Sequence, residues 1–408
     1  MKNVHRKTVD DAVNQILVQA GRDGVSLIWD RAERQQPQCG FGRLSLCCHD
    51  CMEGPCRINP FGKADELTIC GRDRSDLAGS ALVGAVTDGQ QALARLLAVD
   101  GYEVALGVNA KDDLIGYAPE TILPVLGKSI AETLRNLAVS HKTAKVAAGL
   151  EALRSGRANV VVFGRIPAAK LEELKKQPVA LHCVCGMEGS EDVAALSEYD
   201  SQETVLLTGE VDAVVVGAQC VMPAVLDLAA KKNVRVFCMD DAAADIAAAA
   251  AAAFAAREAA AGAPRQIVVS SAEDAGAKAA AAPKGAVYIG GCGDISHTQG
   301  GEAVKLARKL IEEGYAVISA GCIGLSLARA DLPEASFAYL GACTNAGLFL
   351  EIGGAAVFTE LVHHKTLATA AAFAAEGITT YIDNAALFAE PYMAECLARC
   401  GIRPLAMG

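Results

Sequence analysis

The amino-acid sequence predicts an α/β protein in which a cysteine-rich module and a short helical domain precede two Rossmann-like domains with parallel sheets. Short β-branched runs that alternate with helical stretches begin near residue 158, which is the pattern of a parallel sheet with crossover helices. A second series of such runs follows an alanine-rich segment at 242–262. These changes of pattern divide the chain into four predicted parts, 1–75, 76–155, 156–262 and 263–408.

In the first two parts, segments with helical periodicity predict helices, and a segment without it predicts a loop. Residues 8–35 show an amphipathic helix, a glycine-containing turn and a second short helix. Residues 39–75 are interrupted by glycine and proline, so we expect a loop module that is shaped by what it binds. Apolar residues then recur at i, i+3, i+4 and i+7 in "LVGAVTDGQQALARLLAV" and "SIAETLRNLAVSHKTAKVAAGLEALRSG", which predicts helices.

The last two parts contain the predicted strands. The first series is "NVVVFG", "PVALHCVC", "DAVVVGAQC" and "NVRVFCMD", and the second is "GAVYIGGCGD", "YAVISAGCIG", "ASFAYLGACTN" and "TTYIDNA". The alanine-rich segment between them predicts a helix. No G-x-G-x-x-G or G-x-x-x-x-G-K-[ST] motif follows any of these strands, so a nucleotide site is not indicated.

Composition excludes several classes of function. The net charge of −11 over 408 residues argues against a nucleic-acid partner, which would need a basic face. The N-terminus lacks the apolar run of a signal peptide, and the alanine-rich stretch is too weakly apolar to span a membrane. We therefore expect a cytoplasmic protein without a membrane span, in which thiols stay reduced. Fifteen cysteines in such a chain point to metal binding rather than to disulfides.

The spacing of the N-terminal cysteines favours an iron–sulfur cluster over zinc. The gaps are Cys48-x2-Cys51-x4-Cys56-x13-Cys70, whereas structural zinc favours two short Cys pairs separated by a loop. Cys39 and Cys47 are left over. Two thiolates from each of two subunits could complete a second cluster on a dimer axis, which predicts a homodimer. The alternative is that this pair is buried or forms a separate small site.

A second group of cysteines follows the predicted strands. Open α/β sheets bind ligands beyond the carboxyl ends of their strands, so these thiols could converge on one object between the two domains. The alternative for each of them is a buried structural cysteine. The group consists of Cys220, Cys292, Cys322, Cys343 and either Cys183 or Cys185, of which we favour Cys185.

The segment "WDRAERQQPQCGFGRLSLCCHDCMEGPCRINPFG" resembles the N-terminal segment of the nickel–iron carbon monoxide dehydrogenases of anaerobes, a family related to the hybrid-cluster proteins. The resemblance implies that Cys39 and Cys47 bind an iron–sulfur cluster that bridges the homodimer. It also implies a [4Fe-4S] cluster within each subunit, bound by Cys48, Cys51, Cys56 and Cys70.

The resemblance extends more loosely to the rest of the chain, which is short for the family. The motifs "HCVCGMEG", "AQCVMP", "IGGCGD", "SAGCIG" and "LGACTN" resemble the cysteine motifs that hold the family's Ni-Fe-S cluster. "HHK" at 363–365 resembles an H-E-K segment whose lysine assists bound carbon dioxide, which makes Lys365 the catalytic candidate. The implied reaction is CO + H2O to CO2 with two electrons, which would pass through the clusters to a ferredoxin-like carrier.

Two departures from the family pattern leave other functions open. Arg165 in "FGRIPAAKL" stands where the family has a histidine ligand, and arginine is a poor metal ligand; His182 is the nearest substitute in the sequence. The family's run of proton-carrying histidines is missing at "GAVTDGQQAL". One alternative is a nickel-free iron–sulfur–oxo hybrid cluster that uses Glu188 and Glu360 and reduces hydroxylamine or a similar small substrate. Another is an electron-transfer protein without a catalytic cluster.

Overall fold

A computed structural model describes residues 6–63, 65–102, 119–185 and 193–405. The helices are α1 (Asp11–Arg22), α2 (Ile28–Arg34), α3 (Gly40–Arg43), α4 (Arg74–Val99), α5 (Pro119–Leu137), α6 (Ala168–Lys175), α7 (Gln202–Leu207), α8 (Pro223–Lys231), α9 (Ala243–Ala255), α10 (Ala272–Ala281), α11 (Gly301–Glu312), α12 (Gly321–Ala328), α13 (Ala346–Ile352), α14 (His364–Ala375) and α15 (Pro391–Arg399). Short 3-10 helices lie at Leu150–Leu153, Tyr199–Ser201 and Cys343–Asn345.

The strands form a hairpin and two larger sheets. They are β1 (Cys47–Cys48), β2 (Cys56–Arg57), β3 (Ala144–Ala148), β4 (Asn159–Phe163), β5 (Ala180–Val184), β6 (Val193–Ser197), β7 (Ala213–Val216), β8 (Arg235–Cys238), β9 (Arg265–Val269), β10 (Ala286–Gly290), β11 (Ala316–Ser319), β12 (Phe337–Tyr339), β13 (Ala355–Phe358), β14 (Thr379–Ile382) and β15 (Ile402–Pro404). The first sheet has the order β8-β7-β4-β5-β6-β3-β9 and the second has β12-β11-β10-β13-β14-β15.

Both larger sheets are built from parallel strands, apart from the antiparallel pair of β3 with β9 at one edge of the first sheet. Strands β4 and β10 are buried along their whole length, as expected for parallel strands covered on both faces. The predicted α/β fold, with an N-terminal helical and cysteine-rich part followed by two parallel sheets, is therefore confirmed.

The boundaries of the four predicted parts stay a prediction. The first sheet takes in β3, which lies in the segment assigned to the helical domain, and β9, which lies in the segment assigned to the second Rossmann-like domain. The two sheets also share one apolar core, in which Val162 and Val215 of the first sheet are clustered with Val317 and Tyr339 of the second. Such a continuous core fixes the carboxyl ends of the two sets of strands relative to each other.

Helices α4, α5 and α14 pack together over the second sheet, with Ile130, Leu134 and Phe373 fully buried among them. Helices α4 and α14 approach each other closely at Gly89. A Cβ atom built on this residue would come within 2.3 Å of the carbonyl oxygen of His364. Glycine at this position therefore lets the two helix backbones approach each other, and it holds the N-terminal turn of α14 against α4.

Within the described ranges, we find no helix that combines the length and the apolar character needed to cross a membrane.

Candidate metal centre

Five cysteines lie at the carboxyl ends of strands from both sheets, and we call them the strand-end thiols. Two belong to the first sheet and three to the second. They are Cys185 directly after β5, Cys220 in the loop between β7 and α8, Cys292 two residues after β10, Cys322 at the start of α12 after β11, and Cys343 at the start of the 3-10 helix that follows β12. The sequence predicted this placement, and the structure brings the thiols to one crevice between the sheets.

Contacts among these side chains join the two sheets. The Sγ atoms of Cys185 and Cys322 are 3.3 Å apart. The Nζ atom of Lys365, at the start of α14, is 2.7 Å from Sγ of Cys220 and 3.6 Å from Sγ of Cys343. A single buried ammonium group therefore faces thiols from both sheets.

Burial and the neighbouring charges shift the pKa of Lys365 in opposite directions. Burial lowers its pKa, but the neighbouring sulfurs of Cys220, Cys343 and Cys292 outweigh burial, and the pKa lies well above its ordinary value. Burial also raises the pKa of Cys292, while the charge of Lys365 lowers it. The Sγ atom of Cys292 is 2.9 Å from Oγ1 of Thr366. Lys365 is therefore a protonated cation that favours thiolates at its neighbours.

The backbone around the strand-end thiols is shaped for close approach. Cys185 and Cys220 have left-handed conformations, with φ of 56° and 52°. Such values are uncommon for residues other than glycine and cluster at functional sites. Gly321 also has a positive φ, and a Cβ atom there would lie 2.6 Å from Cβ of Cys343. The turn that leads into α12 thus needs glycine, because any side chain at this position would collide with Cys343.

The two cysteines of "HCVCGMEG" point in different directions. Cys183 belongs to the apolar core of the first sheet, where Val162 and Ala195 also lie. Cys185 instead contacts Cys322 of the second sheet. This geometry supports the choice of Cys185 for the crevice.

The strand-end thiols are spread over both walls of the crevice. Among the residues that the structure describes, no three Cys, His, Asp or Glu side chains are arranged to hold one metal ion. Structural zinc would need such a tetrahedral group. A cluster of several metal ions takes each thiolate at a separate corner, so thiols spread over both walls of a crevice suit it.

The N-terminal cysteines lie on a small hairpin and the loops beside it. Cys48 pairs with Cys56 across β1 and β2, and Cys47 is adjacent to Cys48 in β1. Cys39 is exposed at the N-terminus of α3, and both Cys51 and Cys70 are exposed loop residues. The structure therefore gathers Cys47, Cys48 and Cys56 closely and leaves the other three thiols accessible.

Local hydrogen bonds affect the ionisation of these thiols. Backbone N–H groups of Gly42 and Phe41 lower the pKa of Cys39. The hydroxyl of Thr68, whose Oγ1 is 3.4 Å from Sγ of Cys70, lowers the pKa of Cys70. Burial raises the pKa of Cys48. A lowered pKa favours the thiolate, which is the form that binds iron.

Arg165 is engaged by the protein itself. Its Nη2 atom is 2.5 Å from Oδ2 of Asp100 at the end of α4. Its backbone N–H donates to the carbonyl of Ala218, which precedes the Cys220 loop. The guanidinium therefore ties α4 to the first sheet beside this loop, and its charge is paired.

The other candidates named from the sequence have different surroundings. The Nε2 atom of His182 is 2.9 Å from Oδ1 of Asn159 at the start of β4, so this ring is directed toward the amino ends of the strands and away from the strand-end thiols. Burial lowers the pKa of His182 to about 3. Glu360 is buried near Cys292, and both of its carboxylate oxygens accept the N–H of Gly300 at 3.0 Å. Glu188 lies outside the described residues.

Several residues near the strand-end thiols were missed in the sequence. Gln202 donates from Nε2 to the carbonyl of Cys220, with Sγ of Cys185 3.9 Å away. Thr366 contacts Cys292 and directly follows Lys365, which was a usable signal. Tyr199 and His363 form an edge-to-face ring pair, and nothing in their spacing indicated it.

Comparisons with known proteins agree with this architecture. A sequence profile of the Prismane/CO dehydrogenase family matches residues 136–342, about half of the chain. The chain is 51% identical over 71 residues to carbon monoxide dehydrogenase 2 and 33% identical over 144 residues to carbon monoxide dehydrogenase 1, both of Carboxydothermus hydrogenoformans. These alignments cover 17% and 33% of this chain, and only 11% and 23% of those relatives' lengths.

The structural comparison extends over nearly the whole chain. Carbon monoxide dehydrogenase IV from Carboxydothermus hydrogenoformans superposes with a TM-score of 0.73, over 98% of this chain and 96% of that chain. The identity is 18%, so this likeness establishes the fold alone. From the match of the family profile to half of its length, we conclude that the chain belongs to the Prismane/CO dehydrogenase family.

Proposed function

We propose that the protein is an iron–sulfur oxidoreductase that oxidises carbon monoxide with water to carbon dioxide, two protons and two electrons. The observation that carries this proposal is the convergence of the strand-end thiols with Lys365, a buried and protonated cation. Membership of the Prismane/CO dehydrogenase family supports iron–sulfur chemistry at such a site.

The strand-end thiols would hold a Ni-Fe-S cluster. Bound there, the cluster would supply the site that binds a small gaseous substrate and accepts its electron pair. Cys185 and Cys220 would bind it from the first sheet, and Cys292, Cys322 and Cys343 from the second. The shared core of the two sheets would keep these thiols in fixed positions, which reduces the cost of organising the site.

Lys365 acts on charge that develops on the substrate. Lys365 is only 6% exposed, so water screens its charge weakly and its field is strong in the crevice. An ammonium group at this place stabilises negative charge on substrate oxygen atoms and can donate a proton there. α4 and α14 hold this lysine in place through their contact at Gly89.

Clusters bound by the N-terminal thiols would carry electrons away from the crevice. Cys48, Cys51, Cys56 and Cys70 would bind a [4Fe-4S] cluster, and Cys39 and Cys47 would contribute to a cluster shared by two subunits. Exposed apolar side chains on the same module support a homodimer, since patches of this kind mark interaction surfaces. These side chains are Met52, Phe61, Leu67 and Ile69. A ferredoxin-like carrier in the reducing cytoplasm would take up the electrons.

A nickel-free hybrid cluster is the second candidate. The observation that favours it is Glu360, whose carbonyl oxygen accepts the N–H of Cys292 at 3.0 Å and whose carboxyl group is buried nearby. Carboxylate donors beside thiols suit an iron–sulfur–oxo cluster, which would reduce hydroxylamine or a similar small molecule. A third candidate is an electron-transfer protein that uses the N-terminal clusters alone.

Nickel and iron contents of anaerobically purified, reconstituted protein separate these functions. About one nickel per chain, with iron beyond the N-terminal clusters, supports the carbon monoxide reaction, which an assay with a viologen acceptor then tests directly. Abundant iron without nickel selects the hybrid cluster and a hydroxylamine assay. Iron sufficient for the N-terminal thiols alone contradicts a catalytic cluster.

A further inference from the structure

One imidazole near the strand-end thiols has a nitrogen atom without a partner. The Nδ1 atom of His363 is sealed from solvent and has no hydrogen-bond partner among the residues that the structure describes. An unpaired polar atom in such surroundings costs free energy, and native proteins seldom keep one without a ligand or a functional reason.

The position of His363 is fixed by a backbone hydrogen bond and by a ring contact. Its carbonyl accepts the N–H of Thr366 at 2.9 Å, which fixes the backbone at the start of α14. Its ring stands edge-on to Tyr199, with ring centroids 4.4 Å apart and an interplanar angle of 83°. The imidazole is therefore held in one orientation without a hydrogen bond at Nδ1.

The surroundings of Tyr199 relate this imidazole to the crevice. Burial raises the pKa of Tyr199, and the nearby thiols of Cys220, Cys185 and Cys292 raise it further. These thiols come from both sheets, and they lie near enough for their charges to act on Tyr199. His363 packs against the ring of this tyrosine.

The segment that carries His363 forms one wall of the crevice. At one end, the carbonyl of Glu360 accepts the N–H of Cys292. At the other end, Nζ of Lys365 contacts Cys220. His363 therefore lies between a residue that bonds to the backbone of Cys292 and a residue that contacts the thiol of Cys220. Burial and the charges of Lys365 and His364 lower its pKa to about 4, so the ring is neutral and keeps a lone pair.

We propose that His363 is a nitrogen ligand of the metal cluster at the strand-end thiols and binds a first-row transition metal such as iron through Nδ1. Neutral imidazole is a common ligand for iron and nickel, and a mixed sulfur and nitrogen donor set is chemically suited to both. The inference rests on the proposed function, because it needs a cluster at these thiols.

The test combines an isotope with two matched variants. The protein is labelled with 15N-histidine, reduced anaerobically and examined by pulsed EPR, together with iron and nickel contents. We expect a directly bound 15N coupling that disappears in His363→Ala, with a loss of at least about tenfold in metal affinity at the strand-end thiols. His182→Ala is the control, because His182 is also buried and also has an unpartnered Nδ1 atom, but lies toward the amino ends of the strands.

The outcomes distinguish this inference from the proposed function. A full metal content in the wild type, with no 15N coupling and no change in His363→Ala, overturns the ligand role alone. A wild type that holds only the iron of the N-terminal clusters overturns both proposals. If His363→Ala does not fold, the isotope measurement on the unmutated chain decides, with His363→Gln as a second variant.

Discussion

The Nζ atom of Lys365 lies 2.7 Å from the sulfur of Cys220, although the lysine follows a strand of the second sheet and the cysteine follows a strand of the first. The pair thus links the two sheets across the crevice. Because the ammonium group is buried, its removal would take a positive charge away from sulfur atoms of both sheets.

Replacing Lys365 with alanine should lower turnover by about 100-fold, which is the usual effect of losing one preorganised charge at a reacting group. We expect the nickel and iron contents to stay unchanged, because the lysine is not a metal ligand. Carbon monoxide oxidation or hydroxylamine reduction gives the rate. Lys305→Ala is the control, since that side chain is 74% exposed on α11. A wild-type rate in Lys365→Ala would remove this residue from the mechanism.

Replacing Cys39 and Cys47 with serine should remove one cluster per dimer and weaken dimerisation. Iron analysis and analytical ultracentrifugation measure the two effects. Cys238→Ser is the matched control, because Cys238 is an exposed thiol at the end of β8, far along the chain from the N-terminal module. Unchanged iron content and association would contradict a shared cluster.

The ion pair of Arg165 with Asp100 should stabilise the protein and leave metal binding untouched. Both side chains are largely buried, with exposed fractions of 12% and 18%. We expect Arg165→Ala to reduce the free energy of unfolding, and a double-mutant cycle with Asp100→Asn to give a coupling of about 1–3 kcal/mol. Loss of metal from the strand-end thiols in Arg165→Ala would show that the arginine has a role at the cluster.

Gly89→Ala should separate α4 from α14. The new methyl group would meet the carbonyl of His364 and the Cβ atom of Ala368, so we expect a loss of about 1–3 kcal/mol in unfolding free energy. Gly21→Ala is the control, because no atom lies within 4 Å of a Cβ atom there and alanine favours the helix. Chemical denaturation compares the two. Equal changes in unfolding free energy for Gly89→Ala and Gly21→Ala would mean that α4 and α14 can move apart without loss of stability.

Asp200 should make the stability of the metal-free protein depend on pH. Its carboxyl group is buried and has no hydrogen-bond partner among the described residues, and burial, with the charge of Asp294, raises its pKa from 3.8 to about 7. The folded chain therefore holds a proton that the unfolded chain releases. The stability linked to it is present below about pH 4 and is lost as pH rises through about 7.

Unfolding free energies at pH 5 and pH 8 measure this effect. We expect Asp200→Asn to remove about 3 kcal/mol of the decrease in unfolding free energy between pH 5 and pH 8. Asp227→Asn, at an exposed position on α8, should leave the pH dependence as it is in the wild type. If Asp200→Asn shows the same decrease in unfolding free energy as the wild type, the carboxyl group of Asp200 is already ionised in the folded state at pH 5.

The sequence predicted several strands that are rich in β-branched residues and missed others, two of which are rich in alanine. Asn159–Phe163 and Ala213–Val216 consist mostly of valine and were visible. Ala144–Ala148 and Ala355–Phe358 contain much alanine, which favours helices when it is judged alone. Sheet pairing in the folded chain overrides this local preference.

The placement of the strand-end thiols was predictable because parallel strands bring their carboxyl ends to one edge. The contact of Lys365 with Cys220 depends on how one domain packs on the other, and only the motif "HHK" pointed to it. The position of His363 beside Tyr199 was beyond reach, because β6, the strand before Tyr199, carried no recognised signal.

The distribution of thiols along the chain also sets an order of events during synthesis. A nascent polypeptide possesses all the N-terminal thiols once Cys70 has left the ribosome. The strand-end thiols become complete only when Cys343 emerges, after the first sheet and strands β10, β11 and β12 of the second sheet have been translated. Since long-range closure between distant segments is slow, we expect the two kinds of cluster to be loaded at different stages of maturation.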